Sequence, residues 1–282
     1  DILNVLGAGD AFMSGFLRGY LRSESLEKSA NYANASGALV VSRHGCAPAI
    51  PSENELFYYL ENSHNIPNPS QDKVLNHLHR ISSRSGSRSE IFGFAFDHRK
   101  QLYDLAIEFG EDPDRIVQLK KLFLSSIEEV IKQGYITERE VGVLIDDIYG
   151  EEALHSIAEK SWWIARPVEL PGSIPLEFEG EGSIGSKLQS WPLKHVVKCL
   201  LFYHPNDPIE LKLTQEQRLK ELYSACVQSG HQLLLEVLPP AEYGEDDTNI
   251  SQTLKRFYHL GIKPDWWKLP ALQDKPWKLV SD

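Results

Sequence analysis

Six short apolar runs, separated by stretches long enough for helices, fill the chain after Glu90 and leave few folds open to it. The runs cover residues 91–97, 141–146, 163–169, 196–203, 233–237 and 265–269. Between them, residues 112–134, 151–160, 214–230 and 249–261 read as helices, several ending on a glycine where a helix stops. Continuous apolar strands alternating with helices imply a parallel sheet covered by helices. A barrel and an open doubly wound sheet both satisfy that pattern, and the charges favour the barrel. Asp97, Asp146 and Glu169 close the first three runs, and Lys198, Glu236 and Lys268 lie within the last three. In a barrel, groups on several strand ends converge on one mouth. No Gly-rich dinucleotide loop follows the first run, which weighs against the open sheet. The expectation is an α/β chain whose residues 90–282 form an incomplete (β/α)8 TIM barrel. Eight units usually take about 250 residues, so the last two strands are expected to be absent.

The first sixty residues follow a different rhythm. Residues 10–22 have helical spacing, with Phe12, Phe16, Leu17 and Leu21 as the apolar stripe. An Ala-rich helix over 25–41 follows, Gly45 and Pro48 break the pattern, and Ser52-Glu53-Asn54-Glu55 caps a short helix ending near Leu60. Residues 61–89 turn to Asn, Pro and Ser, ending in Ser82-Ser83-Arg84-Ser85-Gly86-Ser87-Arg88-Ser89, and read as a linker interrupted by a short helix over 72–81. The expected domains are therefore 1–60 and 90–282, joined by 61–89.

Composition narrows the partners. With 41% hydrophobic residues the chain can build real cores. Its net charge of -11 and lack of a basic stripe argue against nucleic acid. No apolar run approaches the roughly 18–20 residues of a membrane span. Cys46, Cys199 and Cys226 lack disulfide or metal spacing, which suits a reducing, cytoplasmic setting. Homo-oligomerisation stays open.

Near the start, Gly7-Ala8-Gly9-Asp10 joins a short apolar run to the first helix. Glycines let backbone N–H groups approach an anion, and the helix directs its positive end to the same place. A helix cap with a glycine turn is the plain alternative. The segment from Asn4 to Phe12, with the Ala-rich helix behind it, resembles the second signature of the ribokinase-like, PfkB-type sugar kinases. That resemblance implies Asp10 as the base that deprotonates a sugar hydroxyl, with the amides of Ala8, Gly9 and Asp10 on the transferring phosphoryl. Gly7, Ala8, Gly9 and Asn34, the last in the stretch beside the adenine pocket, would serve ATP with Mg2+. Such a kinase cannot hold its nucleotide and sugar sites in nine residues, so the chain reads as an internal fragment, cut at both ends.

The lysines inside apolar runs carry the second signal. An ammonium in an apolar strand is costly unless paired or neutral, and lowering its pKa frees an amine to attack a ketone. Snorkelling at a strand end is the bland reading for either lysine alone. Together, Phe94-Ala95-Phe96-Asp97-His98-Arg99, Lys198, Glu236 and Lys268 resemble the strand ends of class I, lysine-dependent, tagatose-bisphosphate-type aldolases. The resemblance implies Lys268 as the Schiff-base lysine, Lys198 lowering its pKa, and Glu236 and Asp97 handling protons and hydroxyls. Arg99 and Arg166 are expected phosphate ligands or strand-end salt bridges, with Asp146 a further substrate contact. Asp146-Asp147 with His204 leave a metal-dependent aldolase open, although no His pair has metal spacing, and the expectation is no metal. Trp162-Trp163 and Trp266-Trp267 suit the core better than a sugar platform.

A PfkB-type kinase ahead of such a barrel resembles the bifunctional proteins of bacterial inositol breakdown, whose aldolase-like domain is of the uncharacterised DUF2090 type. The resemblance implies ATP-dependent phosphorylation of 5-dehydro-2-deoxygluconate. It also implies Schiff-base cleavage of the 6-phosphate to dihydroxyacetone phosphate and malonate semialdehyde. The expected partner is thus a small phosphorylated sugar-acid substrate. A non-catalytic regulatory or assembly barrel is the rival.

Overall fold

The computed structural model describes residues 2–82, 90–240, 243, 248–271, 277, 278 and 280. The chain divides into two compact units, Asp1–Ser87 and Arg88–Asp282.

The first unit is helical in its described residues: α1 (Ala8–Leu21), α2 (Leu26–Val41), α3 (Glu53–Asn62) and α4 (Lys73–Ser82). The expected apolar stripe of α1 is not the face that packs. Phe12, Leu17 and Leu21 are exposed, and α1 instead buries Ala11, Gly15 and Gly19. Small residues win there because α2 approaches closely: a Cβ on Gly15 would lie 2.5 Å from the Tyr32 carbonyl oxygen. Ser25 caps α2, accepting from the Lys28 N–H. Ser52 and Glu55 form the capping box read from the sequence. Within the stretch expected as a linker, the short helix read over 72–81 is α4. Residues 61–82 carry the end of α3, two short 3-10 turns and α4, and Ile66 and Leu75 are buried with Leu39. Residues 83–89 lie outside the described residues.

The second unit holds one six-stranded parallel sheet: β1 (Phe92–Ala95), β2 (Val141–Leu144), β3 (Trp163–Pro167), β4 (His195–Phe202), β5 (Gln232–Leu238) and β6 (Trp266–Lys268). Every expected apolar run is a strand, paired in strict chain order from β1 to β6. Helices follow as α5 (Lys100–Glu108), α6 (Arg115–Lys132), α7 (Glu151–Ser156), α8 (Ile184–Gln189), α9 (Ile209–Ser229) and α10 (Thr248–His259). Sequential right-handed crossovers put the helices on one face, and the sheet curls around the other. Flat strands about 4.8 Å apart would hold β1 and β4 some ~14 Å from each other. Yet Lys198 Nζ on β4 lies 3.0 Å from Asp97 Oδ2, just past β1.

Alternation along the strands sorts the core into two layers. Phe96, Val141, Val143, Ile145 and Ile164, then Val197, Cys199, Leu201, Leu233, Leu235 and Val237, pack outward with the helices. Leu144, Trp163, Ala165, Val196 and Leu234, with Ile91 and Trp266, fill the concave face near the amino ends of the strands. Trp163 meets Trp266 edge to face at 5.4 Å, and Trp267 stacks near Phe257 on the outer side, so these tryptophans serve packing. Cys46, Cys199 and Cys226 form no disulfide. Among the described residues no helix is long and apolar enough to cross a membrane.

Candidate active site

Period-two alternation carries the concave face from its apolar layer to a charged one. Continuing inward-facing positions toward the carboxyl ends, Val196 gives way to Lys198, Leu234 to Glu236 and Trp266 to Lys268. Glu236 and Lys268 are direct register partners on β5 and β6. Asp97 and Glu169 follow β1 and β3, and all five line one cavity of about 330 Å3 together with His98, Arg99 and Phe202.

Lys198 is the hub. Its Nζ lies 3.0 Å from Asp97, 3.0 Å from Glu169 and 3.2 Å from Glu236, and its side chain is 5% exposed. Burial pushes its pKa down, but Glu169, Asp97 and Glu236 outweigh that and hold it above the ordinary lysine range. Burial pushes the Asp97 carboxyl up, and the Lys198 and Lys268 charges bring it below the usual range. Glu169 goes the other way: burial raises its pKa, and neither Lys198 nor Arg99 offsets the cost. Glu236 bridges the lysines, with Oε1 2.8 Å from Lys268 Nζ. Lys268 differs from Lys198 in access, its side chain being 38% exposed.

Arg99 lines the cavity but is buried, bound to Glu169 at 3.3 Å and Glu179 at 2.5 Å. Glu179 reaches it because the chain after β3 doubles back, pairing Glu169 with Phe178. Two expected substrate residues lie elsewhere. Arg166 alternates outward from Ala165 and Pro167, binds Asp147 through Nε at 2.8 Å, and stacks on Trp191 at 3.9 Å. Asp146 is fully buried and paired with Lys120 of α6. Lys120 Nζ also donates to the carbonyls of Phe96, at 2.8 Å, and His98, at 3.1 Å. Neither Arg166 nor Asp146 is among the residues lining the cavity. Sequence reasoning assigned no role to Glu169, Glu179 or Lys120. A signal existed for Lys120, which shares the buried stripe of Ile116, Leu124 and Ile127. Among the described residues no group of three His, Cys, Asp or Glu side chains is placed to hold a metal ion.

In the first unit, Gly7 takes a left-handed φ of 82° at the start of α1, and Asp10 sits exposed in its first turn. The Ala8 N–H donates to the Val5 carbonyl at 3.2 Å, so that amide is already engaged. Asn4 ties the loop down through Gly45, 2.8 Å away. Asn34 is exposed on α2.

Comparisons with known proteins also divide the chain in two, but near residue 54 and not at the 87/88 boundary of the compact units. Residues 1–53 match the pfkB family carbohydrate kinase model. Three similar curated proteins are named 5-dehydro-2-deoxygluconokinase. That of Shouchella clausii is 34% identical over 64 residues, 23% of this chain and 20% of the relative. That of Listeria monocytogenes is 38% identical over 55 residues, 20% of this chain and 17% of the relative. That of Bacillus subtilis is 33% identical over 60 residues, 21% of this chain and 18% of the relative. The chain thus spans about a fifth of the length of these relatives. Residues 55–282 match a second model, described as an uncharacterized protein conserved in bacteria, so the chain belongs to that family, DUF2090.

Proposed function

We propose that the second unit is part of a (β/α)8 barrel that cleaves a carbon–carbon bond through a lysine imine, and that residues 1–60 belong to a ribokinase-like kinase that makes its substrate. One observation carries the reading: an accessible lysine on β6 is coupled through Glu236 to a buried, permanently charged lysine on β4. The Lys268 amine, reachable from the cavity, is the group that attacks a ketone. Asp97, held as a carboxylate, receives substrate hydroxyls. The relatives' name supports 5-dehydro-2-deoxygluconate as the kinase substrate, and in this reading the product, its 6-phosphate, passes to the barrel. The imine forms at the C5 ketone, a base takes the C3 hydroxyl proton, and the C3–C4 bond breaks into an enamine. Malonate semialdehyde leaves first. Protonation at C4 and hydrolysis then release dihydroxyacetone phosphate.

For the kinase step, the left-handed Gly7 and the exposed first turn of α1 suit an anionic phosphate, with Asp10 as the base. ATP with Mg2+ supplies the phosphoryl group. The barrel reading is tested by cleavage of the 6-phosphate. Lys268→Ala abolishes it while preserving the circular dichroism spectrum, and a chelator leaves the wild type unaffected. Retained cleavage in Lys268→Ala would favour the regulatory barrel, and loss on chelation the metal mechanism.

A further inference from the structure

Three carboxylates surround the Lys198 ammonium, and they are not equivalent. Asp97 faces that ammonium at 3.0 Å, and Glu236 places one oxygen toward each lysine, 3.2 Å from Lys198 and 2.8 Å from Lys268. Glu169 spends a single oxygen, Oε1, on both Lys198 and Arg99. Its Oε2 is buried and, among the described residues, receives no hydrogen bond from another side chain. Arg99 is in turn shared with Glu179. The carboxylates therefore outnumber the cations that can satisfy them. Glu236 Oε2 and Glu169 Oε2 are both buried without a hydrogen bond, but the first keeps the Lys198 ammonium 3.2 Å away, whereas among the described residues no ion pair engages the second, on a residue only 4% exposed. A buried carboxyl with an unmatched oxygen keeps a proton at lower cost than it keeps a charge. Burial does raise its pKa, as noted above.

We propose that Glu169 is the acid of this site, giving its proton to the hydroxyl of the carbinolamine formed when Lys268 adds to the substrate ketone. The assignment rests on the imine reading. In that step the nitrogen lone pair forms the C=N bond as the C–O bond breaks, and the hydroxyl takes the Glu169 proton and departs as water. Glu169 is left as a carboxylate beside Lys198 and Arg99, whose charges then stabilise it. During hydrolysis of the product imine the attacking water returns a proton to Glu169, closing the cycle. The other carboxylates are committed: Asp97 is held ionised by Lys198, Glu236 keeps Oε2 3.2 Å from the Lys198 ammonium, and Glu179 sits behind Arg99.

The test measures borohydride-trapped adduct formation by the full chain with dihydroxyacetone phosphate across pH. Wild type should lose rate as pH rises through the Glu169 pKa. Glu169→Gln, which keeps the size and the oxygen facing Lys198, should react about 10²-fold or more slowly and lack that limb. Glu169→Asp, which retains the ion pairs, should recover part of the rate with the limb moved to the pKa of the new carboxyl. Wild-type rate in Glu169→Gln, or an unmoved limb in Glu169→Asp, would overturn the proposal even where one variant folds poorly. No adduct in the wild type would instead remove the imine itself, and this assignment with it.

Discussion

Two buried lysines stand at the carboxyl ends of the same sheet, and their surroundings separate scaffold from site. Lys120 has one carboxylate, Asp146, and two backbone carbonyls, so its ammonium is matched and sealed from solvent. Lys198 faces three carboxylates within 3.2 Å and borders a cavity. The first arrangement pins the backbone on either side of Asp97. The second leaves charge unbalanced where a substrate can enter. Perturbed groups with a shared partner in a cleft are where catalysis concentrates, whereas a saturated pair fixes geometry.

Breaking the matched pair should have the largest effect on folding. Lys120→Met strands the Asp146 charge and is expected to cost about 3–5 kcal/mol in urea denaturation. A Lys120→Met/Asp146→Leu double variant should recover most of that loss, since neither charge then remains buried. No recovery would mean that the carbonyl contacts dominate.

Removing the unmatched lysine should act differently. Lys198→Met leaves Asp97, Glu169 and Glu236 close together, so their folded pKa values rise above the unfolded ones. The folded state then binds more protons, and stability should fall as pH rises from 5 to 8, by about 3 kcal/mol overall. A flat profile would show that the three carboxylates are already relieved by solvent.

The first unit supplies a control with the opposite sign. Burial raises the Glu55 carboxyl, but His79, Ser52 and Arg43 bring it to about 2, from 4.5. Its stabilisation is therefore complete above pH 4.5 and lost as pH falls toward 2. Glu55→Gln should cost about 1.5–3 kcal/mol at pH 7 and remove that acid dependence. The smallest effect belongs to Arg166→Met, about 1 kcal/mol from its stack on Trp191, with adduct formation on Lys268 unchanged.

The strands were legible because buried parallel strands must be apolar on both faces, and residues such as Val196, Val197 and Leu201 supply that in one run. The charged layer was legible for the same reason, since Lys198 and Glu236 interrupt such runs. Helix α5 was missed because it buries none of its residues and so leaves no clean stripe. The packed face of α1 was misread because Gly15 and Gly19 carry no hydrophobic signal, although close approach requires them. Arg166 was misplaced although parity was available: it lies three residues from Glu169 and so on the opposite face of the strand. Glu169 could be seen as a strand-end charge. Its unmatched oxygen depends on Arg99 and Glu179, which tertiary structure alone brings together.

The central claim is tested most directly by incubating the full chain with dihydroxyacetone phosphate and borohydride, then mapping the modified peptide by mass spectrometry. One adduct is expected, on Lys268. An adduct on Lys198, or none in the folded protein, would contradict it.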